Sequence, residues 1–211
     1  MAQSYIKRIL NAQVYDVARE TPLDAAPLLS ARVGNQAFLK REDLQPVFSF
    51  KCRGAYNKMV HLNEAARAGG VVAASAGNHA QGVALAASKL GIKATIVMPV
   101  TTPLIKVDAV KALGAKVVMH GDSFDEAAVR ARTLTESEGF TFIHPFDDPD
   151  VIAGQGTVAV ELVRQAQQPL DFVFVCCGGG GLLAGMAAYL RYVWPQTRII
   201  GVEPEDAACV Q

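Results

Sequence analysis

The run GVVAASAGNHAQGVALAASKLGIKATIVM, residues 70–98, decides the fold. It opens with small apolar residues, Gly70 to Ala74, and closes with Lys93 to Met98, a largely apolar stretch stopped by Pro99. Between them, His79 to Leu90 carries its apolar residues at helical spacing and meets Gly91, where a helix commonly turns left-handed and ends. The strands are largely apolar rather than alternating, the pattern of a strand covered on both faces. A strand, a helix and a second such strand form a parallel pair joined by a right-handed crossover.

The same unit repeats downstream. A helix from Pro103 to Leu113 ends at Gly114, a strand runs from Ala115 to His120, a helix from Phe124 to Glu138 ends at Gly139, and Phe140 to Pro145 reads as a strand. The period breaks at Phe146 to Val151, where Asp147-Asp148-Pro149-Asp150 interrupts it. It resumes with a helix Val158 to Gln167, a strand Asp171 to Cys177, a helix Leu182 to Val193 and a strand Arg198 to Glu203. Upstream, Tyr5 to Asn11 has an amphipathic stripe, Val14 to Leu29 reads as an extended entry through Thr21-Pro22-Leu23, and Ala37 to Lys40 reads as a strand. An extended run then leads from Phe38 to Phe48, and a helix is expected from Arg53 to Glu64. The expected fold is α/β, with two doubly wound parallel-sheet lobes and the site in the cleft between them. The divisions are an arm and part of the large lobe over 1–45, a small lobe over 46–146, and the rest of the large lobe over 147–211.

With 211 residues and 51% hydrophobic content, the chain is long and apolar enough to bury a core. Lys plus Arg and Asp plus Glu both number 20, so charge gives no case for nucleic acid or an anionic membrane, and the expected ligand is small. No apolar run approaches the ~20 residues of a bilayer span, and the N-terminus lacks the order of a signal peptide. Cys52, Cys176, Cys177 and Cys209 form neither a CxxC pair nor a disulfide-like framework, which fits a reducing, cytoplasmic setting and no structural zinc. His61, His79, His120 and His144 show no metal-ligand spacing.

Three stretches carry chemistry. In Ser49-Phe50-Lys51-Cys52-Arg53-Gly54, Lys51 has an apolar wall in Phe48 and Phe50 and a cationic neighbour in Arg53. Both disfavour the ammonium form and would make the amine a nucleophile toward an aldehyde. Taken alone, Lys51 reads as one more solvated residue at a helix start. Ser75-Ala76-Gly77-Asn78-His79, between a strand and a helix, offers a hydroxyl, an amide and free N–H groups that suit a carboxylate; an ordinary N-cap and turn explains the same residues without a ligand. Gly178-Gly179-Gly180-Gly181, before the helix that opens at Leu182, exposes bare backbone N–H groups at a helix N-terminus and fits a phosphate. The same loop satisfies GxGxxA through Gly179, Gly181 and Ala184, and Glu203 stands where a ribose-binding acid would be, so an NAD-binding reading is open. That reading leaves Lys51 and the Ser75 loop without work.

Lys40 to Met59 with Ser49-Phe50-Lys51 and Arg53-Gly54, then Ser75 to Gly82, Gly154-Gln155-Gly156-Thr157 and the tetraglycine loop, resemble the biosynthetic threonine dehydratase (threonine deaminase) family. These are pyridoxal-phosphate enzymes of fold type II, the tryptophan-synthase-β superfamily, and the resemblance runs through practically the whole chain. It implies pyridoxal 5'-phosphate as cofactor, held by a Schiff base on Lys51, which also serves as base on the substrate's Cα proton. It further implies Gly178, Gly179, Gly180, Gly181 and Leu182 as phosphate cradle, Asn78 as contact to the ring hydroxyl, and Ser75, Gly77, Asn78 and His79 as the loop on the substrate carboxylate. The implied reaction is deamination of L-threonine to 2-oxobutanoate and ammonia, with β-elimination of the hydroxyl, in isoleucine biosynthesis. Serine dehydratase, serine racemase and, farther off, cysteine synthase share the pattern, and a non-catalytic fragment is a further alternative. The implied partners are a small amino-acid substrate and further copies of the chain, with no nucleic acid, membrane or metal. Cys52, Cys176 and Cys177 depart from the family's pattern and are expected to be small core fillers. The chain also ends at Gln211, soon after Val202-Glu203-Pro204, where the family continues, so an incomplete second lobe with an open strand edge is expected.

Overall fold

The computed structural model describes residues 2–210, leaving Met1 and Gln211 outside the described residues. In chain order the elements are α1 (Ala2–Leu10), β1 (Leu23–Ala25), α2 (Pro27–Val33), β2 (Phe38–Lys40), α3 (Lys51–Val60), α4 (Glu64–Gly69), β3 (Val71–Ala74), α5 (Asn78–Leu90) and β4 (Ala94–Met98). They continue with α6 (Leu104–Ala112), β5 (Lys116–Met119), α7 (Phe124–Glu138), β6 (Thr141–Phe142), α8 (Pro149–Ala166), β7 (Phe172–Cys176), α9 (Gly181–Val193) and β8 (Arg198–Val202).

The first sheet has the order β5-β4-β3-β6, with every neighbouring pair parallel. Its faces divide by residue parity. Val71, Ala73, Ile96 and Met98 pack on the side of α3, α5 and α6, whereas Val72, Ala74 and Val97 pack on Ala127, Ala131 and Leu134 of α7. Helices on both faces make this lobe doubly wound. A second parallel pair, β7-β8, is covered on one face by α8 and α9 through Val158, Leu162, Val173, Val175, Met186 and Leu190. Phe172 and Phe174, of opposite parity, stand 42% and 67% exposed on its other face. β1 and β2 form a small antiparallel pair.

Several expected boundaries are corrected. The extended entry over Val14 to Leu29 contains α2, because Pro27 sits in its first turn, where a missing N–H costs nothing. The helix expected over Arg53 to Glu64 is two helices: α3 ends at Val60, and Asn63 caps α4 by accepting the N–H of Ala66. The run from Phe38 to Phe48 is extended only to Lys40; it then makes a 3-10 turn over Glu42–Leu44, with Glu42 drawn onto Arg53.

The largest correction is α8, expected from Val158 but running from Pro149. Asp147-Asp148-Pro149-Asp150 is the start of that helix: the Asp148 carboxylate accepts the N–H groups of Asp150 and Val151 at 2.8 and 3.2 Å. Gly154 and Gly156 lie inside it because two helices cross there at backbone distance. A Cβ on Gly154 would lie 2.7 Å from the Arg53 carbonyl oxygen and from the Gly54 Cα of α3. One on Gly156 would lie 3.1 Å from the Gly185 carbonyl oxygen of α9. Thus α8 is the central post between the two sheets, touching α3 through one glycine and α9 through the other.

Candidate active site

Lys51 is the first residue of α3. Its backbone is gripped by α5, where a Cβ on Gly82 would lie 3.0 Å from the Lys51 carbonyl group. Its half-buried Nζ donates to the Pro145 carbonyl at 2.7 Å and sits 5.5 Å from the Phe50 ring centroid. Burial pushes the amine below the ordinary lysine value, and the nearby Cys176 thiol pulls partly the other way. Arg53 does not act as the cationic neighbour that the sequence suggests. Its guanidinium is fully buried and occupied by Glu42 and Glu161, so its charge is neutralised within its own cluster. Phe48 is 77% exposed and gives no wall, whereas Phe50 does.

The Ser75 loop lies between β3 and α5, at the carboxyl edge of the first sheet. Ser75 is buried; its Oγ accepts the Gly77 N–H at 3.2 Å, and its own N–H donates to Val97. Asn78 is exposed at the first position of α5. The His79 ring is buried, with Nε2 donating to the Ile143 carbonyl at 2.9 Å and Nδ1 left without a partner. Burial keeps the ring neutral, its pKa pushed down to about 3, although the bond to Ile143 pulls the other way. What His79 offers the cleft is therefore its backbone N–H at a helix N-terminus, where the first N–H groups have no intrahelical acceptor.

The glycine loop joins β7 to α9. Gly178 and Gly179 are exposed, Gly180 is left-handed at φ 79°, and the first helical bond runs from Ala184 N–H to the Gly180 carbonyl at 2.8 Å. The N–H groups of Gly181, Leu182 and Leu183 thus precede the helical ladder and sit at the positive end of its dipole, a ready anion site. Nothing lies within 4 Å of where a Gly178 side chain would be. The residues present accordingly fit a phosphate-bearing aldehyde: an open cradle for the anion and an amine already depressed by burial.

The segment Ile143-His144-Pro145-Phe146 joins these pieces. The Ile143 carbonyl holds His79, the Pro145 carbonyl holds Lys51, and the Phe146 ring fills the space where a Gly179 side chain would sit. His144 packs edge-on against Phe146 with centroids 4.7 Å apart, and its Nδ1 accepts the N–H groups of Phe146 and Asp147. Sequence reasoning missed this segment, taking Ile143 to Pro145 as the end of a strand and Phe146 as the start of the break that follows. The one available signal was its place at the carboxyl end of a parallel strand, where α/β sheets put their ligands.

The same loop carries the dinucleotide fingerprint, and β7, α9 and β8 supply its strand-helix-strand frame. Yet Glu203 Oε1 accepts the N–H of Cys209 instead of standing free as a ribose-binding acid would. Among the cysteines, Cys52 and Cys177 are buried as expected, but Cys176 is exposed because it shares the parity of Phe172 and Phe174. Among the described residues no group of His, Cys, Asp and Glu side chains is placed to hold a metal, and no helix is long and apolar enough to cross a membrane.

The family model for pyridoxal-phosphate dependent enzymes matches residues 14–211. The biosynthetic, chloroplastic threonine dehydratase of Arabidopsis thaliana is 62% identical over 206 residues, which is 98% of this chain and 35% of that relative. L-threonine dehydratase biosynthetic IlvA of Burkholderia multivorans is 56% identical over 212 residues, 99% of this chain and 42% of the relative. Among solved structures, the processed form of threonine deaminase isoform 2 from Solanum lycopersicum superposes with a TM-score of 0.93 at 54% identity, over 96% of this chain and 56% of that one. Maize serine racemase does so at 0.88 and 35% identity, over 97% and 60%. The chain thus spans about two fifths or less of the length of these two curated relatives.

Proposed function

The chain belongs to the family of pyridoxal-phosphate dependent enzymes, and from that premise we propose that it deaminates L-threonine to 2-oxobutanoate and ammonia, the water lost in β-elimination being returned on hydrolysis. The observation that carries this reading is the meeting of the depressed Lys51 amine and the glycine cradle on one segment, Pro145-Phe146. In this reading the backbone N–H groups of Gly178 to Leu182 would hold the cofactor phosphate, and the Asn78 amide would contact the ring hydroxyl. When bound, pyridoxal phosphate supplies an electron sink that lets negative charge develop at the substrate Cα. Lys51 Nζ, its pKa lowered by burial, would hold the cofactor through its aldehyde carbon, the carbonyl oxygen leaving as water, and would serve as the base for the substrate Cα proton. Before that, the Pro145 carbonyl keeps one N–H of Lys51 engaged and so aims the lone pair. The N–H groups at the start of α5, with Ser75 and Gly77 shaping the turn, receive the substrate carboxylate.

The four free cysteines support a reducing compartment, and we place the protein in the cytoplasm. We also expect a homo-oligomer, since Leu104 and Ile105 at the start of α6 are 77% and 79% exposed, apolar surface that identical subunits would cover. The test is borohydride reduction after incubation with pyridoxal phosphate, with peptide mapping. The adduct is expected on Lys51 and absent from a folded Lys51→Ala variant, which also turns over no threonine. An adduct on another lysine, or turnover by the variant, would refute the assignment. The likeness to serine racemase makes serine the competing substrate, and the ratio of kcat/KM for threonine and serine decides between them.

A further inference from the structure

Arg53, two residues past Lys51, has none of its surface exposed, yet it lies in a cluster of four charges. Its Nε and Nη2 donate to the two Glu42 carboxylate oxygens at 2.8 Å each. Nη1 and Nη2 donate to Glu161 at 2.6 and 3.0 Å, Nη1 also to Thr157 Oγ1 at 3.1 Å, and Nη2 also to the Arg19 carbonyl at 3.1 Å. Glu161, itself fully buried, takes Lys40 Nζ at 2.6 Å and the Tyr15 hydroxyl at 2.9 Å. Two cations and two carboxylates balance, so the cluster is neutral as a whole.

Burying such a cluster gains little stability over well-packed apolar side chains of the same volume, because desolvation offsets the attraction. What apolar packing lacks is a single orientation. A guanidinium holding two carboxylates on its planar fork admits very few rotations of the helix that carries it. Lys51 and Arg53 are two positions apart, about 200° around a helix axis. Fixing Arg53 on the Glu42 and Glu161 side therefore turns Lys51 to the opposite side, where Pro145 receives it. The same helix is close-packed on α8 through Gly54 and Gly154, so the cluster sets rotation where the glycines set distance.

We propose that Arg53, through Glu42 and Glu161, is the positioning residue for the Lys51 amine, holding α3 in the one rotation that keeps Nζ desolvated against the Pro145 carbonyl. This rests on the reading of Lys51 given above, but its test does not need the cofactor. Two variants separate positioning from folding. Arg53→Lys keeps the charge and loses the fork, so it cannot hold both carboxylates. Arg53→Met with Glu161→Met removes one charge of each sign and keeps the volume; Lys40 retains Thr21 and Gln165, and Glu42 retains Thr21 and Gln45.

Trace acetylation with acetic anhydride across the alkaline range, read by peptide mapping against the exposed Lys106, reports the titration of Lys51 in the cofactor-free protein. The other titratable groups near Lys51 are Cys176, His79 and His144, and they are unchanged in both variants. In both variants, folded by circular dichroism, the Lys51 midpoint is expected to rise toward the ordinary lysine value. At a fixed pH below it, labelling then falls about tenfold for each unit of rise, and adduct formation with pyridoxal phosphate slows in parallel. A folded variant with the wild-type Lys51 profile would overturn the proposal. So would failure of both variants to fold, which would make the cluster a folding requirement instead. A wild-type protein that forms no adduct at Lys51 would sink the functional reading, while the labelling result would still stand for or against Arg53.

Discussion

Gly154→Ala sets two effects of known sign against each other. Alanine within a helix is favoured over glycine by about 1 kcal/mol, so helix propensity alone makes the variant more stable. The added methyl group, however, would lie 2.7 Å from the Arg53 carbonyl oxygen, 2.7 Å from the Gly54 Cα and 2.9 Å from the Arg53 carbonyl carbon, all of them backbone atoms that no rotamer change can move. Ordinary contact between such atoms is roughly 3.5 Å or more, so α3 and α8 must separate by roughly 0.8 Å. Overpacking of this kind costs about 1–3 kcal/mol, and the rigid neighbours put this case at the upper end. The same separation stretches the 2.6 Å bond from Arg53 to Glu161 to roughly 3.4 Å, the weak end of the hydrogen-bond range. The clash therefore wins by about 2 kcal/mol before any loss from the charge cluster. For a chain of this length that lowers Tm by about 4–8 °C, read by circular dichroism on heating. Gly178→Ala, with nothing within 4 Å, is the matched control and should melt with the wild type. A Gly154→Ala protein that melts at or above the wild-type temperature would refute the close crossing of α3 and α8.

Two further outcomes are expected. Gly180→Asp puts a carboxylate into the cradle and should weaken pyridoxal phosphate binding roughly tenfold or more in a spectroscopic titration; unchanged affinity would mean that the anion binds elsewhere. His79 is neutral in the fold, with its pKa at about 3, against about 6.5 in the unfolded chain. The unfolded state thus binds the extra proton between those values. Stability from this group is complete above the unfolded value and is lost as pH falls toward the folded one, by about 1.4 kcal/mol per unit. Denaturant melts at pH 6 and pH 5 should show that slope in the wild type and a shallower one in His79→Leu; equal slopes would mean that His79 is not buried in this way.

The fold was legible where local chemistry and tertiary structure ask for the same residues. Gly91 and Gly139 adopt left-handed φ values of 66° and 73° just past α5 and α7, and the apolar strands between them pair as their composition requires. Legibility failed at α8 because there the two demands conflict. Gly154 and Gly156 weaken the helix as an isolated segment, and only the approach of α3 and α9 explains them. A glycine that stops a helix and one that lets another helix touch it look identical in a single sequence.

The site divides along the same line. Lys51, the Ser75 loop and the tetraglycine run were visible because each carries its chemistry within a few consecutive residues at the end of a strand or the start of a helix. Arg53 was visible too, but its role was misread. The sequence puts it beside Lys51 as a free positive charge, whereas Glu161, 108 residues away, neutralises it on the far side of the helix. Pro145 and Phe146 could not be found for a further reason: the Pro145 contact to Lys51 is made by a carbonyl oxygen, which every residue has, and Phe146 meets the glycine loop through ring surface alone. A candidate nucleophile or anion cradle is thus proposed from neighbours in sequence. The groups that orient it act through backbone atoms and buried charge, and those become specific only once the chain has folded.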